Sequence, residues 1–549
     1  MKPWIALSCS ALLLLACSKK KPVPTPDGLV TPDTVVVTPA PTLAQDTSME
    51  LQLAQSALDN ERPGEVRHII ANLDTQQFSQ AQQITAAELS AQAYIRLRNV
   101  HASLQQRMLL QTLLKDTTEQ QDNARTIWQT LSNQSLAALQ TMQKQSGDTS
   151  LQAWVELNIA VRTHRQQAYQ LLTALKTWQQ QYPKHPANQL LAKNLELPWQ
   201  TPHHIALLLP VTGPLKQAGQ AIRDGFLSQT YQLPADQRPT IDVLDTHDNN
   251  ISALYQQAVT QNAQFVIGPL QKSALHDLLQ QDDFPVPVLA LNDSTDGLPT
   301  NVYGLALSPT QEAQQLTDKL RQKGIQRVVV IYPQGDWGDR VGGTILNAWQ
   351  QDGEKVIAAW QFKPHANFNA MTAHLLLVDA SQKRHAKLKK QLHLKNLGFV
   401  PRRRQDIQAI AMIASPKVAR QILPYLRYYY AKDIPVYATS YAYSGRQHAG
   451  ELRDLNGLHF CDIPWMVTKR YAKDRQQLQS IWPSVYDNFP RLFALGEDAY
   501  HLTVGDGLLQ LRLMPELGIA AATGRLTLTD QSIHRTLTWA RVRRGEIHA

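Results

Sequence analysis

Apolar positions follow four different patterns along the 549 residues. From Ile5 to Ala16 all 12 residues are apolar or small, whereas a membrane-spanning helix needs about 20. With Lys2 in front, this run reads as a secretory signal. Residues 18–46 show no period: Lys19-Lys20-Lys21 leads into prolines 22, 24, 26, 32, 39 and 41. Such a stretch buries no core and favours extended chain. Its reach is on the order of 90 Å at most. From 47 to 200 apolar residues recur at helical spacing, as in Leu89, Ala93, Ile95 and Leu97, then Leu104, Met108 and Leu109, then Trp154, Leu157, Val161 and Ala168. Proline is absent from 64 to 182. The pattern predicts paired antiparallel helices with turns at Arg62-Pro63-Gly64, at 72–77 and at 146–148.

From His203 short apolar runs alternate with amphipathic stretches. "HIALLLP", "TIDVLDT", "QFVIGPL", "PVPVLALN", "NVYGLALSP", "RVVVIYP", "QAIAMIAS" and "PVYATS" read as strands. Helices are predicted over 218–231, 252–262, 273–280, 311–323, 417–430 and 499–511. Alternation of this kind gives parallel βαβ sheets with loops gathered at the strands' C-terminal ends. The roughly 350 residues after position 200 exceed one ordinary domain, so two lobes are expected. The expected architecture is multidomain: a signal over 1–16, a linker over 17–46, an all-α domain over 47–200 and a two-lobed α/β domain over 201–549.

Three cysteines are present, Cys9, Cys17 and Cys461. Cys9 lies in the signal, and Leu14-Leu15-Ala16-Cys17 resembles the lipobox of bacterial lipoproteins. That resemblance implies cleavage between Ala16 and Cys17, a diacylglycerol on the Cys17 thiol and an acyl chain on its amine. An ordinary cleaved signal is the alternative. Two or more chains anchor stably where one is marginal. Ser18, where an aspartate would imply retention at the inner membrane, implies the outer membrane facing the periplasm. Cys461, left alone in an apolar stretch, reads as a buried small side chain. Net charge is +9, which suits nucleic acid, membrane or anionic wall polymer. Periplasmic placement disfavours nucleic acid.

The segment from Ala153 to Ala187 resembles a tetratricopeptide repeat, with Trp154 and Leu157 at the repeat's spacing and Pro183 at its closing position. A non-repeating bundle is the alternative. "LLPVTGPLKQAGQAIRDGF", "FVIGPL", "GLALSPTQEAQQLTDKL" and "RVVVIYPQGDWGDR" are similar in order to type I periplasmic binding proteins. Together, the lipobox, Pro/Thr linker, Gln-rich helical half, binding-protein-like half and closing "TGRLTLTDQSIHRTLTWARVRRGEI" resemble the LpoA family across nearly the whole chain. That resemblance implies an outer-membrane lipoprotein, not an enzyme, that activates penicillin-binding protein 1A, a peptidoglycan synthase. The implied partners are the synthase through the C-terminal domain, the outer membrane through lipid, and peptidoglycan. A solute receptor for a transporter is the main rival, and a wall-cleaving enzyme a third class.

Candidate chemistry is sparse. No "G-x-S-x-G", "H-E-x-x-H" or P-loop pattern occurs, and neither a cofactor nor a metal is expected. His203 and His204 are neighbours on a strand and face opposite ways. Asp245-Thr246-His247-Asp248 offers a carboxylate–histidine pair, with a solvated loop as the favoured reading. Glu497-Asp498 reads as acid favouring a helix N-terminus. Thr212, Gly213, Ser273 and Ser308 are predicted to line a cleft beyond the strand ends, kept as scaffold or holding an anion. Between Lys383 and Arg404 nine basic residues and no acid occur. Arg402, Arg403 and Arg404 are the candidates for an anionic partner contact, with a solvated surface as the plain alternative.

Overall fold

The computed structural model describes residues 47–549 except 74–77, 146, 165–167, 192–199, 295–296, 350–353, 364, 394–397 and 446–448. The signal, Ala16, Cys17 and the linker lie outside the described residues.

The first half is helical. Helices span Thr47–Asp59, Pro63–Ala71, Gln80–Arg96, Val100–Leu113, Thr117–Ser132, Leu136–Gln145, Thr149–His164 and Ala168–Gln181. Their starts are written locally. Ser79 accepts from the Gln82 amide while Gln82 reaches back to the Ser79 amide, and Asp116 accepts from the amides of Thr118 and Glu119. Such caps satisfy amides that have no partner inside a helix. Pro63 opens the second helix instead of sitting in a turn, where its missing N–H costs nothing. Leu89, Ala93, Leu104, Met108, Trp154 and Leu157 are buried, whereas Ile95, Leu97 and Leu109 are exposed.

The second half contains two sheets. Its strands are β1 (His204–Leu209), β2 (Thr240–Asp245), β3 (Phe265–Ile267), β4 (Val288–Ala290), β5 (Val302–Leu305), β6 (Arg327–Pro333), β7 (Lys355–Phe362), β8 (Ala409–Met412), β9 (Val436–Ala438), β10 (Leu458–Asp462), β11 (Ile519–Ala520), β12 (Arg525–Thr529), β13 (Ser532–Thr536), β14 (Thr538–Arg543) and β15 (Glu546–His548). Lobe 1 orders them β11-β12-β13-β5-β4-β3-β1-β2, and lobe 2 β15-β14-β10-β9-β8-β6-β7. Pairing is parallel from β2 through β13 in lobe 1 and from β7 through β10 in lobe 2, with antiparallel strands added at one edge of each. Helices cover both faces, so central strands are apolar throughout. Cys461 on β10 is fully buried.

The predicted helix 499–511 is two helices, Pro490–Thr503 and Gly507–Leu513, broken where Asp506 takes a left-handed conformation. The first packs on the helix Lys216–Thr230. A Cβ on Gly225 would come 2.0 Å from the Phe493 carbonyl oxygen, and one on Gly496 2.0 Å from that of Ile222. Only glycine permits this separation on both sides.

The chain crosses between lobes three times: between β5 and β6, between β10 and the helix Pro490–Thr503, and through Leu537 between β13 and β14. Both lobes also touch the helical half. Leu509, Leu513, Met514 and Leu517 enter the same core as Trp128, Trp154 and Trp178, and Arg125 pairs with Glu516 at 2.6 Å. At the far end Asp59 pairs with Lys323 at 3.2 Å. Glu61 pairs with Arg541 and Arg543 of β14 at 3.1 and 3.2 Å.

Candidate functional site

The C-terminal edges of the parallel strands are where such folds bind ligands. In lobe 1 the loop after β1 is tied to Asp245 at the end of β2. One Asp245 oxygen accepts from the amides of Val211 (2.9 Å), Thr212 (3.4 Å) and His247 (3.1 Å); the other accepts from the Thr212 hydroxyl (2.5 Å). Burial opposes the charge, but the Thr212 hydroxyl and the three amides outweigh it and hold the carboxyl below its usual range. A cradle of amides and a hydroxyl suits a ligand carboxylate; here the chain's own carboxylate occupies it. Gly213 sits under the His247 ring, which a Cβ would strike at 2.4 Å. His247 also pairs with the exposed Asp248 at 3.2 Å.

The four predicted cleft residues share this edge but do not converge. Thr212 and Gly213 are on one loop. Ser273 is exposed in the first turn of the helix Lys272–Leu278. Ser308 is buried at the start of the helix Pro309–Gln322, its hydroxyl 2.9 Å from that of Thr310. β5, which leads to Ser308, stands three strands from β1, about 14 Å at ordinary strand spacing. On the lobe 2 side Trp337 packs against Tyr441 with ring centres 4.7 Å apart.

Between the lobes, where the chain crosses, lies a buried charged cluster. Arg491 binds both Asp462 oxygens at 3.0 and 2.6 Å and reaches the Ser440 and Tyr443 carbonyls. Glu312 accepts from the Ser440 amide and hydroxyl at 3.1 and 2.7 Å. Arg535 donates to the carbonyls of Ala306 (2.7 Å) and Thr523 (3.3 Å). Asp498 accepts from the amides of Ala522 and Thr523 and from the Thr523 hydroxyl, all within 2.7 Å. Burial drives the Asp498 carboxyl up to about 6 against those bonds and the Arg535 charge. Burial likewise raises Glu312 and Asp462, with Arg535 and Arg491 respectively the leading opposition. Glu497 and Asp498 therefore do not serve a helix N-terminus: both are buried inside the helix Pro490–Thr503. Nothing local in the sequence marks Glu312 or Arg535, because their partners are distant in the chain. Acids inside apolar helical stretches were the one available signal.

The basic segment separates into two kinds of residue. Lys383, Arg384, Lys387, Lys389 and Lys390 lie on the helix Val378–Gln391, where Lys383 pairs with Asp379 at 3.6 Å. Arg403 and Arg404 are not available surface cations. Arg403 binds Asp433 at 2.5 Å and the Tyr430 carbonyl at 2.8 Å, with a side chain only 9% exposed. Arg404 binds both oxygens of Asp406 at 2.7 Å. Sequence spacing placed the three arginines together; folding leaves Arg402 exposed. Beside the helix, Phe399 stacks on His385 at 4.1 Å. Leu388, Leu392, Val400, Tyr428 and Tyr430 are also exposed.

The family model described as "LppC putative lipoprotein" matches residues 37–545. A protein of Photobacterium profundum named "Penicillin-binding protein activator LpoA" is 28% identical over 451 residues, 80% of this chain and 72% of that protein. One of Vibrio antiquarius with the same name is 28% identical over 439 residues, 77% and 72% of the two chains. Among solved structures, LpoA of Haemophilus influenzae aligns over 91% of this chain and 87% of its own, at 24% identity and a TM-score of 0.52. That likeness establishes the fold: a helical N-terminal region followed by two α/β lobes.

Proposed function

The chain belongs to the LppC lipoprotein family, and from that premise we propose that it is an outer-membrane lipoprotein that binds and allosterically activates a peptidoglycan synthase, penicillin-binding protein 1A. It is a regulator and not an enzyme. The observation that carries the reading is that relatives named as penicillin-binding protein activators align across both halves of the chain. Residues 1–16 are the signal. Cys17, exposed by cleavage after Ala16, carries the N-palmitoyl and S-diacylglycerol groups, and residues 17–46 tether the working part. Residues 47–200 form the tetratricopeptide-like domain, and residues 201–549 form the domain that meets the synthase. The tether spans the wall meshwork, so peptidoglycan is a further contact.

Activation requires tighter binding to the active than to the inactive synthase. The lobe 1 cradle supports the scaffold reading, because Asp245 stands where a solute's carboxylate would bind. The helix Val378–Gln391 with Arg402 is the partner-facing surface of this proposal. Its lysines suit an acidic partner, and the exposed Leu388, Leu392, Phe399 and Val400 beside them supply apolar contact. Charge of this kind mainly raises the association rate and makes it salt-dependent.

The test is glycan synthesis by purified penicillin-binding protein 1A with and without the full lipidated chain in detergent. Stimulation is expected, reduced when Lys387, Lys389, Lys390 and Arg402 are reversed to Glu. No stimulation and no binding, together with capture of a transport permease from inner-membrane extract, would overturn the proposal.

A further inference from the structure

A cavity of about 400 Å³ opens where the helical half meets both lobes. Gln129 and Asn133 come from the end of the helix Thr117–Ser132. Thr468, Arg470 and Tyr471 come from the segment after β10, Arg525 from β12, and Thr536 and Thr538 from the last lobe crossing. Among the described residues lining it there is no carboxylate.

The two guanidinium groups differ in setting. Arg470 is exposed, its charge 5.4 Å from the centre of the Tyr471 ring. Arg525 is largely buried. Burial alone lowers it to about 10, with no acid among the described residues acting on it. Its hydrogen bond is to the Leu517 carbonyl. The buried Arg491 and Arg535 make the contrast: each is held against Asp462 and Glu312. A buried cation without its counter-charge is costly, and five N–H donors are not satisfied by one carbonyl. Around it, the side chains of Gln129, Asn133, Thr536 and Thr538 make no hydrogen bond among the described residues, and Thr468 is bonded to the Pro464 carbonyl.

We propose that this junction cavity binds a small anionic sugar, its phosphate or carboxylate on Arg525 and Arg470 and its hydroxyls on the surrounding amide and threonine side chains. The volume is within the ordinary range for small-molecule sites. Arginine pairs with both oxyanions in the same fork geometry. Such a ligand touches the helical half, β12 of lobe 1 and the Pro464–Tyr471 segment of lobe 2 at once, so its binding stiffens their arrangement. The inference does not rest on the synthase reading.

The experiment is thermal unfolding and titration calorimetry of the full chain with glucose 6-phosphate, N-acetylmuramic acid, inorganic phosphate and glucose. At least one anionic sugar is expected to raise the melting temperature in a salt-sensitive way, with glucose inert and inorganic phosphate weaker. Asn133→Asp, an exposed change at the cavity wall, should weaken binding about tenfold by setting a carboxylate near the bound anion, and Arg470→Gln by a similar factor through loss of one charge-assisted contact. Arg525→Gln should abolish it. Asn133 and Arg470 are both exposed, so an unchanged far-UV circular dichroism spectrum is expected for both variants, and the result does not hang on Arg525. The proposal is overturned if neither sugar anion binds, if glucose or inorganic phosphate binds as well, or if the first two variants bind unchanged.

Discussion

Replacing Leu513 by Ala measures how far the two halves are one cooperative unit. Leu513 is fully buried and belongs to the core that holds Trp128, Trp154 and Trp178. Its helix Gly507–Leu513 also sends Leu508 and Leu511 into the lobe 1 core. Truncating a buried leucine removes transfer free energy and leaves a cavity, together about 3 kcal/mol. That corresponds to roughly 150-fold in an opening equilibrium. If the core is continuous, the loss reaches helices more than 300 residues away in sequence. Hydrogen exchange read by mass spectrometry reports it directly. Amides of the helices Thr117–Ser132 and Thr149–His164 should lose protection by up to that factor, and tryptophan fluorescence should show one transition moved to lower denaturant. Unchanged protection in those helices, with faster exchange confined to residues 507–517, would refute the shared core.

Three other predictions concern the lobes. The Asp498 carboxyl is raised from 3.8 to about 6 by burial, so the folded state holds its proton more tightly than the unfolded chain. Its contribution is therefore full below about pH 4 and lost as pH rises to about 6, worth about 3 kcal/mol; Asp498→Asn should flatten that slope in urea midpoints taken across the interval. Gly225→Ala and Gly496→Ala each place a methyl 2.0 Å from a backbone oxygen of the opposing helix, and each should cost about 1–3 kcal/mol. Because both open the same helix pair, the double variant in urea denaturation should cost less than the sum. Asp245→Ala removes the acceptor of the amides of Val211, Thr212 and His247; because water reaches these half-exposed groups, it should destabilise by about 1 kcal/mol. Added acetate should then raise the melting temperature of the variant but not of the parent, by entering the vacated cradle.

Local patterns in the chain determine much of this protein. The apolar runs of β1, β3, β6 and β8, buried on both faces, were legible because a doubly covered parallel strand needs no polar alternation. The caps at Ser79, Asn99 and Asp116 act within three residues, so these helix starts are locally encoded, although apolar spacing alone did not single them out. Fold class followed from the alternation of these elements, and the relatives' alignments agree with it. Tertiary structure decided the rest, because the deciding partners are far apart in sequence. Arg402, Arg403 and Arg404 look alike in the chain, yet only folding brings Asp433 to one and aligns Asp406 with another. Thr212 looked ready for a ligand until β2 laid Asp245 beside it. Glu497 and Asp498 suggested a helix end and lie inside one, Glu497 bonded to Gln229 and Asp498 to Thr523. Leu513 carries no sign that it shares a core with Trp128 and Trp154. Backbone geometry and burial period are short-range and leave a trace in neighbouring residues. Counter-charges, close helix contacts and shared cores act through space, and only the folded chain supplies them.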